Sequence, residues 1–265
     1  IAHMLVREDN AQVLAALAQA GAMLDTQDAE GITPAILAAQ HGHVASLTVL
    51  IEAGVQLGSA DNQGQTPVHF AARSGCEEAL ILLIEAGAEV NIQSKYGTSP
   101  AHYAASRGHV DILITLIKAG AQVNIHGHRG RTPMHSAVSR GHVAALTILI
   151  EAGAEVNALN RNGQTPMHYA AGHGKNVASI DVLIEAGARI NIQDKWGDTP
   201  AHWAASFGRA EELTTLIEAG AGIDTPGRGG TTPVHCTTEM GYTKVLATLI
   251  EVGAKVNVQD SDGNT

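Results

Sequence analysis

Aromatic side chains and cysteines are scarce in this sequence. Only 3% of its 265 residues are Phe, Trp or Tyr, whereas 45% are hydrophobic, so its core must be aliphatic and rich in alanine. This composition favours close helix packing over a β-sandwich, and it excludes an intrinsically disordered chain. The two cysteines, Cys76 and Cys236, are too few for a disulfide framework, which favours a reducing compartment.

Long hydrophobic runs and positive charge are also in short supply. The longest aliphatic run, 79–84, is far shorter than the roughly 20 residues that a transmembrane helix needs. A net charge of −10 argues against a protein whose whole surface binds nucleic acid or membrane. We therefore expect a cytoplasmic protein without a transmembrane segment.

The most prominent feature that is present is an internal repeat. The prolines of its Thr-Pro and Ser-Pro pairs recur every 33 residues, with one interval of 34. These prolines, each preceded by a glycine three residues earlier, are Pro34, Pro67, Pro100, Pro133, Pro166, Pro200 and Pro233. A second glycine column consists of Gly54, Gly87, Gly120, Gly153, Gly187, Gly220 and Gly253. Columns this regular indicate a repeat architecture.

Each repeat predicts two short helices. Thr66 and Pro67 are typical of a helix start, because the threonine hydroxyl caps the first turn and proline lacks an N–H that would go unpaired there. Leu80, Leu83 and Ile84 then form the i, i+3, i+4 stripe of a second, amphipathic helix. Helices of about eight to ten residues are unstable alone, so neighbouring repeats must stack on one another.

Segments 64–72 and 84–91 resemble the ankyrin repeat through their Thr-Pro-x-His and Gly-Ala-x-x-Asn elements. The resemblance covers the whole chain and implies an all-α fold, an ankyrin-repeat solenoid of stacked helix-turn-helix units with β-hairpin-like turns. We expect one ankyrin-repeat domain over 1–265. It comprises a partial repeat 1–27, repeats 28–60, 61–93, 94–126, 127–159, 160–193, 194–226 and 227–259, and a partial repeat 260–265. Because it begins and ends within a repeat, we expect it to be part of a longer protein.

Six of the fourteen histidines occupy one column of the repeat, namely His69, His102, His135, His168, His202 and His235. Ile36 takes this place in repeat 28–60. The resemblance implies that each imidazole hydrogen-bonds the backbone of the adjoining turn. Neighbouring imidazoles would lie roughly 10 Å apart, one repeat width, whereas a shared zinc ion needs ligands near 2 Å. We therefore predict no metal site.

No catalytic group is predicted either. His235 and Cys236 are adjacent on a helix and therefore point in different directions. The glycine-rich segment 227–230 lacks the Lys-Ser/Thr ending of a phosphate-binding loop. The sequence thus predicts neither an enzyme nor a cofactor.

Positive charge is concentrated where partners usually contact the family. The resemblance places those contacts at the hairpin tips, the turns that precede the first helices, and on the inner side of the first helix. We call the basic residues there the basic positions: Arg73, Lys95, Arg107, Arg129, Arg131, Arg140, Arg161 and Lys195. Over 61–193 these places hold no acidic residue. Basic residues common in the family explain Arg73, Arg107 and Arg140 but not the tips, so we favour a binding function.

Exposed aromatic residues are expected beside this charge. Tyr96 and Trp196 stand just before a tip glycine, and Phe207 occupies an inner-helix position of the same repeat as Trp196. Exposed aromatic side chains of this kind are typical binding hot spots. His128 completes the set of candidate partner-binding residues. By contrast, Phe70, Tyr103, Tyr169 and Trp203 follow the histidine column and are expected to be half-buried core residues.

These features predict a protein–protein interaction scaffold that binds an acidic or phosphorylated segment of another protein on a basic concave face. Nucleic acid is a weaker candidate, because the chain carries a net charge of −10. The alternative is phosphate recognition, in nucleic acid or an anionic lipid headgroup, by the same positions. A further alternative is the recognition array of a larger signalling protein, or of a bacterial effector delivered into a host cytoplasm.

Overall fold

The computed structural model describes residues 1–174 and 176–265. In this part of the chain the fold is all helical, with 16 α-helices and no strand, as predicted. The helices are α1 (Ala2–Arg7), α2 (Ala11–Gln19), α3 (Pro34–His41), α4 (Val44–Glu52), α5 (Pro67–Ser74), α6 (Glu77–Glu85), α7 (Pro100–Arg107), α8 (Val110–Lys118), α9 (Pro133–Arg140), α10 (Val143–Glu151), α11 (Pro166–His173), α12 (Ala178–Glu185), α13 (Pro200–Ser206), α14 (Ala210–Glu218), α15 (Pro233–Met240) and α16 (Thr243–Glu251). Two 3₁₀ turns, His128–Gly130 and Arg228–Gly230, precede α9 and α15.

The start of α5 confirms the helix-start signal of the repeat. Thr66 caps α5 in an extended conformation, and Pro67 is the first helical residue. Gly75 ends α5 in the left-handed conformation, with φ of 80°, which glycine adopts without a steric penalty. In α6, Leu80 and Leu83 are fully buried, whereas Ile84 is half-buried. In α6 the predicted apolar stripe is therefore centred on two of its three residues.

The chain divides into two compact units, Ile1–His128 and Arg129–Thr265. Within the first unit the helices α1, α3, α5 and α7 pack side by side, as do α2, α4, α6 and α8. Within the second unit α9, α11, α13 and α15 form one such row, and α10, α12, α14 and α16 form the other. Stacking of helix pairs thus buries the leucines in each unit, and the single-domain assignment stays a prediction.

The turns that precede the first helices are held by a side chain. In the turn before α5, Oδ1 of Asp61 accepts hydrogen bonds of 2.8 Å from the backbone N–H groups of Gln63 and Gln65. Asn160 and Asp194 hold the turns before α11 and α13 in the same way. These three tips are therefore loops defined by side-chain hydrogen bonds.

No helix within the described ranges is long and apolar enough to cross a lipid bilayer.

Candidate functional site

The histidine column is a structural support. Nδ1 of His69 accepts a hydrogen bond of 3.1 Å from the backbone N–H of Thr66, and its Nε2 lies 3.0 Å from the carbonyl oxygen of Thr98 in the next repeat. Because Nδ1 accepts, the proton sits on Nε2 and the ring is neutral. Burial lowers the pKa of His69 to about 4, although the bond to Thr98 partly opposes this shift. The hydrogen bond that the resemblance implied is thus present.

The same arrangement recurs along the column. His168 and His202 accept from a threonine N–H at 3.0 and 3.1 Å and reach a carbonyl oxygen of the next repeat at 3.1 Å. Burial also lowers the pKa of both imidazoles. Across the described residues, no group of three or more His, Cys, Asp or Glu side chains is placed to hold a metal ion.

In the first unit, Arg73 is held against aromatic rings. Its guanidinium carbon lies 4.4 Å from the ring centroid of Phe70 and 5.9 Å from that of Tyr103 in the next repeat. Nη1 of Arg73 also donates a 3.3 Å hydrogen bond to the side-chain oxygen of Gln65. Cation–π contacts of this kind contribute about 0.5–1 kcal/mol at exposed sites. Arg73 therefore covers core rings, and its charge is only half-exposed.

The other candidates of the first unit are exposed. Lys95 and Tyr96 stand on the tip before α7, where the backbone N–H of Lys95 donates to the carbonyl oxygen of Gln63 on the neighbouring tip. Tyr96 is 62% exposed and meets His128 edge to face, with ring centroids 6.4 Å apart. Arg107, the last residue of α7, is exposed as well. These side chains are accessible to a partner.

In the second unit, three basic side chains lie on consecutive tips. The backbone N–H of Arg161 donates a 2.9 Å hydrogen bond to the carbonyl oxygen of Arg129. In the next step, Lys195 donates through its N–H to the carbonyl oxygen of Asn162, also at 2.9 Å. All three basic side chains are exposed, and so is Arg140 at the end of α9. The backbone thus fixes Arg129, Arg161 and Lys195 in a row.

Arg129 adopts a backbone conformation that is unfavourable for arginine. Its φ of 58° is left-handed, and the matching residue of repeat 227–259 is Gly229, with φ of 61°. A non-glycine residue in this region costs roughly 1–2 kcal/mol. Both turns begin with glycine where other turns have Asp, Asn or Ser; at Gly127, a Cβ would lie 2.6 Å from Nε2 of His102. An arginine retained at a strained, exposed tip is consistent with a functional constraint.

Arg131 differs from the other basic tips of the second unit because it is half-buried. Its guanidinium carbon lies 4.6 Å from the ring centroid of Tyr169, which belongs to the next repeat and is only 3% exposed. His173, at the end of α11, packs its ring 4.4 Å from that of Phe207. Burial lowers the pKa of His173, and the positive charges of Arg131 and Arg209 lower it further.

A pocket of about 230 Å³ lies between the tip and the first helix of repeat 194–226. Its lining consists of Trp196, Trp203, Phe207, Asp194, Asp198, Arg228 and Ser206, and we call it the aromatic pocket. Trp196 is 42% and Phe207 45% exposed, as expected for both. Trp203 is half-buried, as expected, but it also lines the pocket, a role that was not predicted from the sequence.

The aromatic pocket depends on a glycine in the preceding repeat. Gly172 is buried in α11, and a Cβ there would lie 2.8 Å from Cε3 of Trp203 and 3.0 Å from Cδ2 of Phe207. In other repeats the same column contains Arg73, Ser106 and Ser139. The missing side chain thus provides the space that both rings occupy. The one sequence signal for this site was a glycine at position 172, in a column that otherwise contains bulkier or polar residues.

Comparison with known families agrees with this architecture. A family model described as ankyrin repeats (3 copies) matches residues 2–94, 81–160, 101–194 and 167–260. No curated protein matches the chain.

Proposed function

Because the chain belongs to the ankyrin-repeat family, whose repeats are generally protein–protein interaction modules, we propose that it binds an acidic or phosphorylated segment of another protein through the basic positions. Proteins of this family are typically non-enzymatic scaffolds. The observation that carries the proposal is the row of exposed basic side chains, Arg129, Arg161 and Lys195, on consecutive tips.

The net charge of the protein makes this row stand out. The chain has 26 acidic and 16 basic residues, yet these three neighbouring tips each present an exposed cation. Like charges in a row repel one another, so the row is favourable only when a partner neutralises it. Arginine also binds carboxylate and phosphate groups through two parallel hydrogen bonds. An anionic partner therefore fits the row.

The spacing of the row indicates how the partner would match it. Neighbouring repeats lie roughly 10 Å apart because their helices are packed side by side. An extended segment covers that distance with about three residues, at about 3.3 Å per residue. An acidic or phosphorylated residue at every third position would therefore meet one basic tip after another. The exposed rings of Trp196 and Phe207, in the same unit as the row, supply apolar contacts for such a segment.

A charge-reversal variant tests the proposal. We would titrate a fluorescent peptide that has phosphoserine at every third position with the wild type and with the variant Arg129→Glu/Arg140→Glu/Arg161→Glu. Arg131 is left unchanged because it covers Tyr169. All three substituted residues are exposed, so stability should change by no more than about 0.5 kcal/mol each. We expect affinity to fall by at least tenfold, measured by fluorescence anisotropy.

A matched control separates local from overall charge. The variant Arg189→Glu/Lys244→Glu/Lys255→Glu makes the same change in net charge at exposed residues of the same unit, away from the tips and the ends of the first helices. It should bind the peptide nearly as well as the wild type. Equal losses in both variants would reject the proposal. Tighter binding of an oligonucleotide, with a steep dependence on salt, would favour the phosphate-recognition alternative instead.

A further inference from the structure

The aromatic pocket differs in chemistry from the basic positions around it. Three aromatic rings and two carboxylates line it, and Arg228 is its one cationic residue. Its volume of about 230 Å³ lies below the roughly 300–1,000 Å³ that is usual for drug-sized ligands, so it is suited to a single side chain. We propose that this pocket binds the side-chain ammonium group of a lysine from a partner protein.

The aromatic rings supply the first attraction for a cation. The face of an aromatic ring carries partial negative charge, and tryptophan binds cations best. The chain's own cation already uses one of these faces, since the guanidinium carbon of Arg228 lies 5.7 Å from the ring centroid of Trp196. Trp203 and Phe207 are in contact, with centroids 5.9 Å apart. An incoming ammonium would take the place that the Arg228 side chain occupies beside Trp196.

The two carboxylates have different tasks. Oδ1 of Asp194 accepts the backbone N–H groups of Trp196 and Asp198 at 2.9 and 3.1 Å, and Oδ2 accepts Nε1 of Trp203 at 3.4 Å. Asp194 is buried and therefore positions the rings. Asp198 is half-buried, and its Oδ1 accepts the backbone N–H of Arg228 at 2.9 Å. Its second oxygen remains to accept a hydrogen bond from the ammonium.

The alternative hypothesis is that the pocket binds an anion through Arg228. The charges of the lining argue against it, because two carboxylates and one guanidinium leave the pocket with a net negative charge. The two readings predict opposite effects of removing Arg228. If a cation binds, Arg228 competes with it and its loss strengthens binding; if an anion binds, its loss abolishes binding.

Intrinsic fluorescence can report on this pocket directly. The chain has two tryptophans, and both line the pocket. We would titrate the protein with Nα-acetyl-lysine methylamide at constant ionic strength and follow tryptophan emission. The norleucine derivative, which has no charge, and the phosphoserine derivative serve as probes of the two alternatives. We expect a saturable change with the lysine derivative and at least a threefold weaker response with norleucine. An equal response to norleucine, or a stronger one to phosphoserine, would overturn the proposal.

Three variants that keep both tryptophans make the test sharper. Arg228→Ala should bind the lysine derivative about 2- to 5-fold more tightly, since a cation–π contact at an exposed site contributes about that factor. Asp198→Asn and Phe207→Leu should each weaken binding by a similar factor. Glu218→Gln, with the same change in charge as Asp198→Asn at an exposed residue of α14, should bind like the wild type.

The variants also distinguish this proposal from the preceding one. Weaker binding by Arg228→Ala, or wild-type binding by Asp198→Asn, would exclude a lysine site. Phe207 is 45% exposed. A thermal melt of each variant checks that a loss of binding is not a loss of folding. A lysine derivative needs none of the basic positions. Failure of the phosphopeptide experiment therefore leaves this proposal intact, and the reverse also holds.

Discussion

The two units differ in the residue at an equivalent position near the end of a first helix. In the first unit, Arg73 lies at the end of α5 and its guanidinium covers Phe70 of its own repeat and Tyr103 of the next. The corresponding residue of repeat 160–193 is Gly172, where a Cβ would meet Trp203 and Phe207 of the next repeat. At this position of the repeat, 61–93 thus has a cation and 160–193 has no side chain.

The difference decides which surface becomes available. Where arginine is present, its side chain shields the two rings and its own charge is half-exposed. Where glycine is present, the rings of Trp203 and Phe207 lie close to the helix backbone, and both line the aromatic pocket. In both places a histidine of the column supports the next ring edge to face, His69 for Tyr103 at 6.1 Å and His168 for Trp203 at 5.8 Å. Both repeats share the same helix arrangement, and they differ in whether the side chain at this position covers the neighbouring rings.

Acidification should have the largest effect, because it acts on the support common to both places. His69 has a folded-state pKa of about 4, against about 6.5 in an unfolded chain. Between these values the unfolded state binds a proton that the folded state does not, so stability is complete above about pH 6.5 and falls as the pH approaches 4. The full difference of about 3 kcal/mol for His69 is reached only below pH 4, and about 2 kcal/mol of it is lost by pH 5. Urea unfolding followed by circular dichroism at pH 7, 6 and 5 measures it.

The control for the pH experiment comes from the chain itself. Ile36 occupies the histidine position of repeat 28–60, and its N–H is still capped by Thr33 at 3.2 Å. In the variant His69→Ile the dependence of stability on pH should be shallower, while His168 and His202, whose pKa values burial also lowers, preserve the remainder. An unchanged dependence on pH would show that His69 is not the responsible group.

Gly172→Arg should have the next largest effect, since it puts at position 172 the residue type that the first unit has at Arg73. The new Cβ would lie 2.8 Å from Trp203, so the rings must move. Overpacking of this kind costs about 1–3 kcal/mol, whereas replacing glycine within a helix returns about 0.5–1 kcal/mol. We expect a net loss of stability of up to about 2 kcal/mol in urea unfolding, together with a red shift of tryptophan emission.

The variant Ser106→Arg is the matched control for that substitution. Ser106 occupies the same column in α7 and already has a Cβ. The substitution Ser106→Arg therefore does not add a Cβ at a position that lacks one. It should leave stability within about 0.5 kcal/mol and tryptophan emission unchanged. Equal stability of Gly172→Arg and Ser106→Arg would mean that the space at Gly172 is not what admits the two rings.

Most of the fold was predictable because residues of the repeat mark helix ends through local signals. Thr66, Pro67 and Gly75 fix where α5 begins and ends through local backbone chemistry alone. The same holds for the exposure of Tyr96 and Trp196, since a residue beside a tip glycine has few neighbours. Local signals of this kind need no knowledge of the rest of the chain.

The contacts between repeats were not predictable in the same way. The pairing of Gly172 with Trp203, and of Arg131 with Tyr169, joins residues more than thirty positions apart, and depends on how one repeat leans on the next. Arg131 was expected as an exposed tip and is half-buried for this reason. The lack of space for a Cβ at Gly127, which would lie 2.6 Å from Nε2 of His102, is likewise a contact between repeats.

Arg73→Ala should have the smallest effect and tests the arginine side of the comparison. The guanidinium contributes about 0.5–1 kcal/mol through its contact with Phe70, and alanine is at least as good a helix former, so we expect a loss of less than about 1 kcal/mol. A second readout is Tyr103, whose pKa is raised by burial and lowered by the charge of Arg73. Removing that charge should raise the Tyr103 pKa further, which a spectrophotometric titration of tyrosine detects. Arg73→Lys retains the charge and should leave the titration near that of the wild type. A Tyr103 pKa that is equal in Arg73→Ala and Arg73→Lys would show that Arg73 does not act on this ring through its charge.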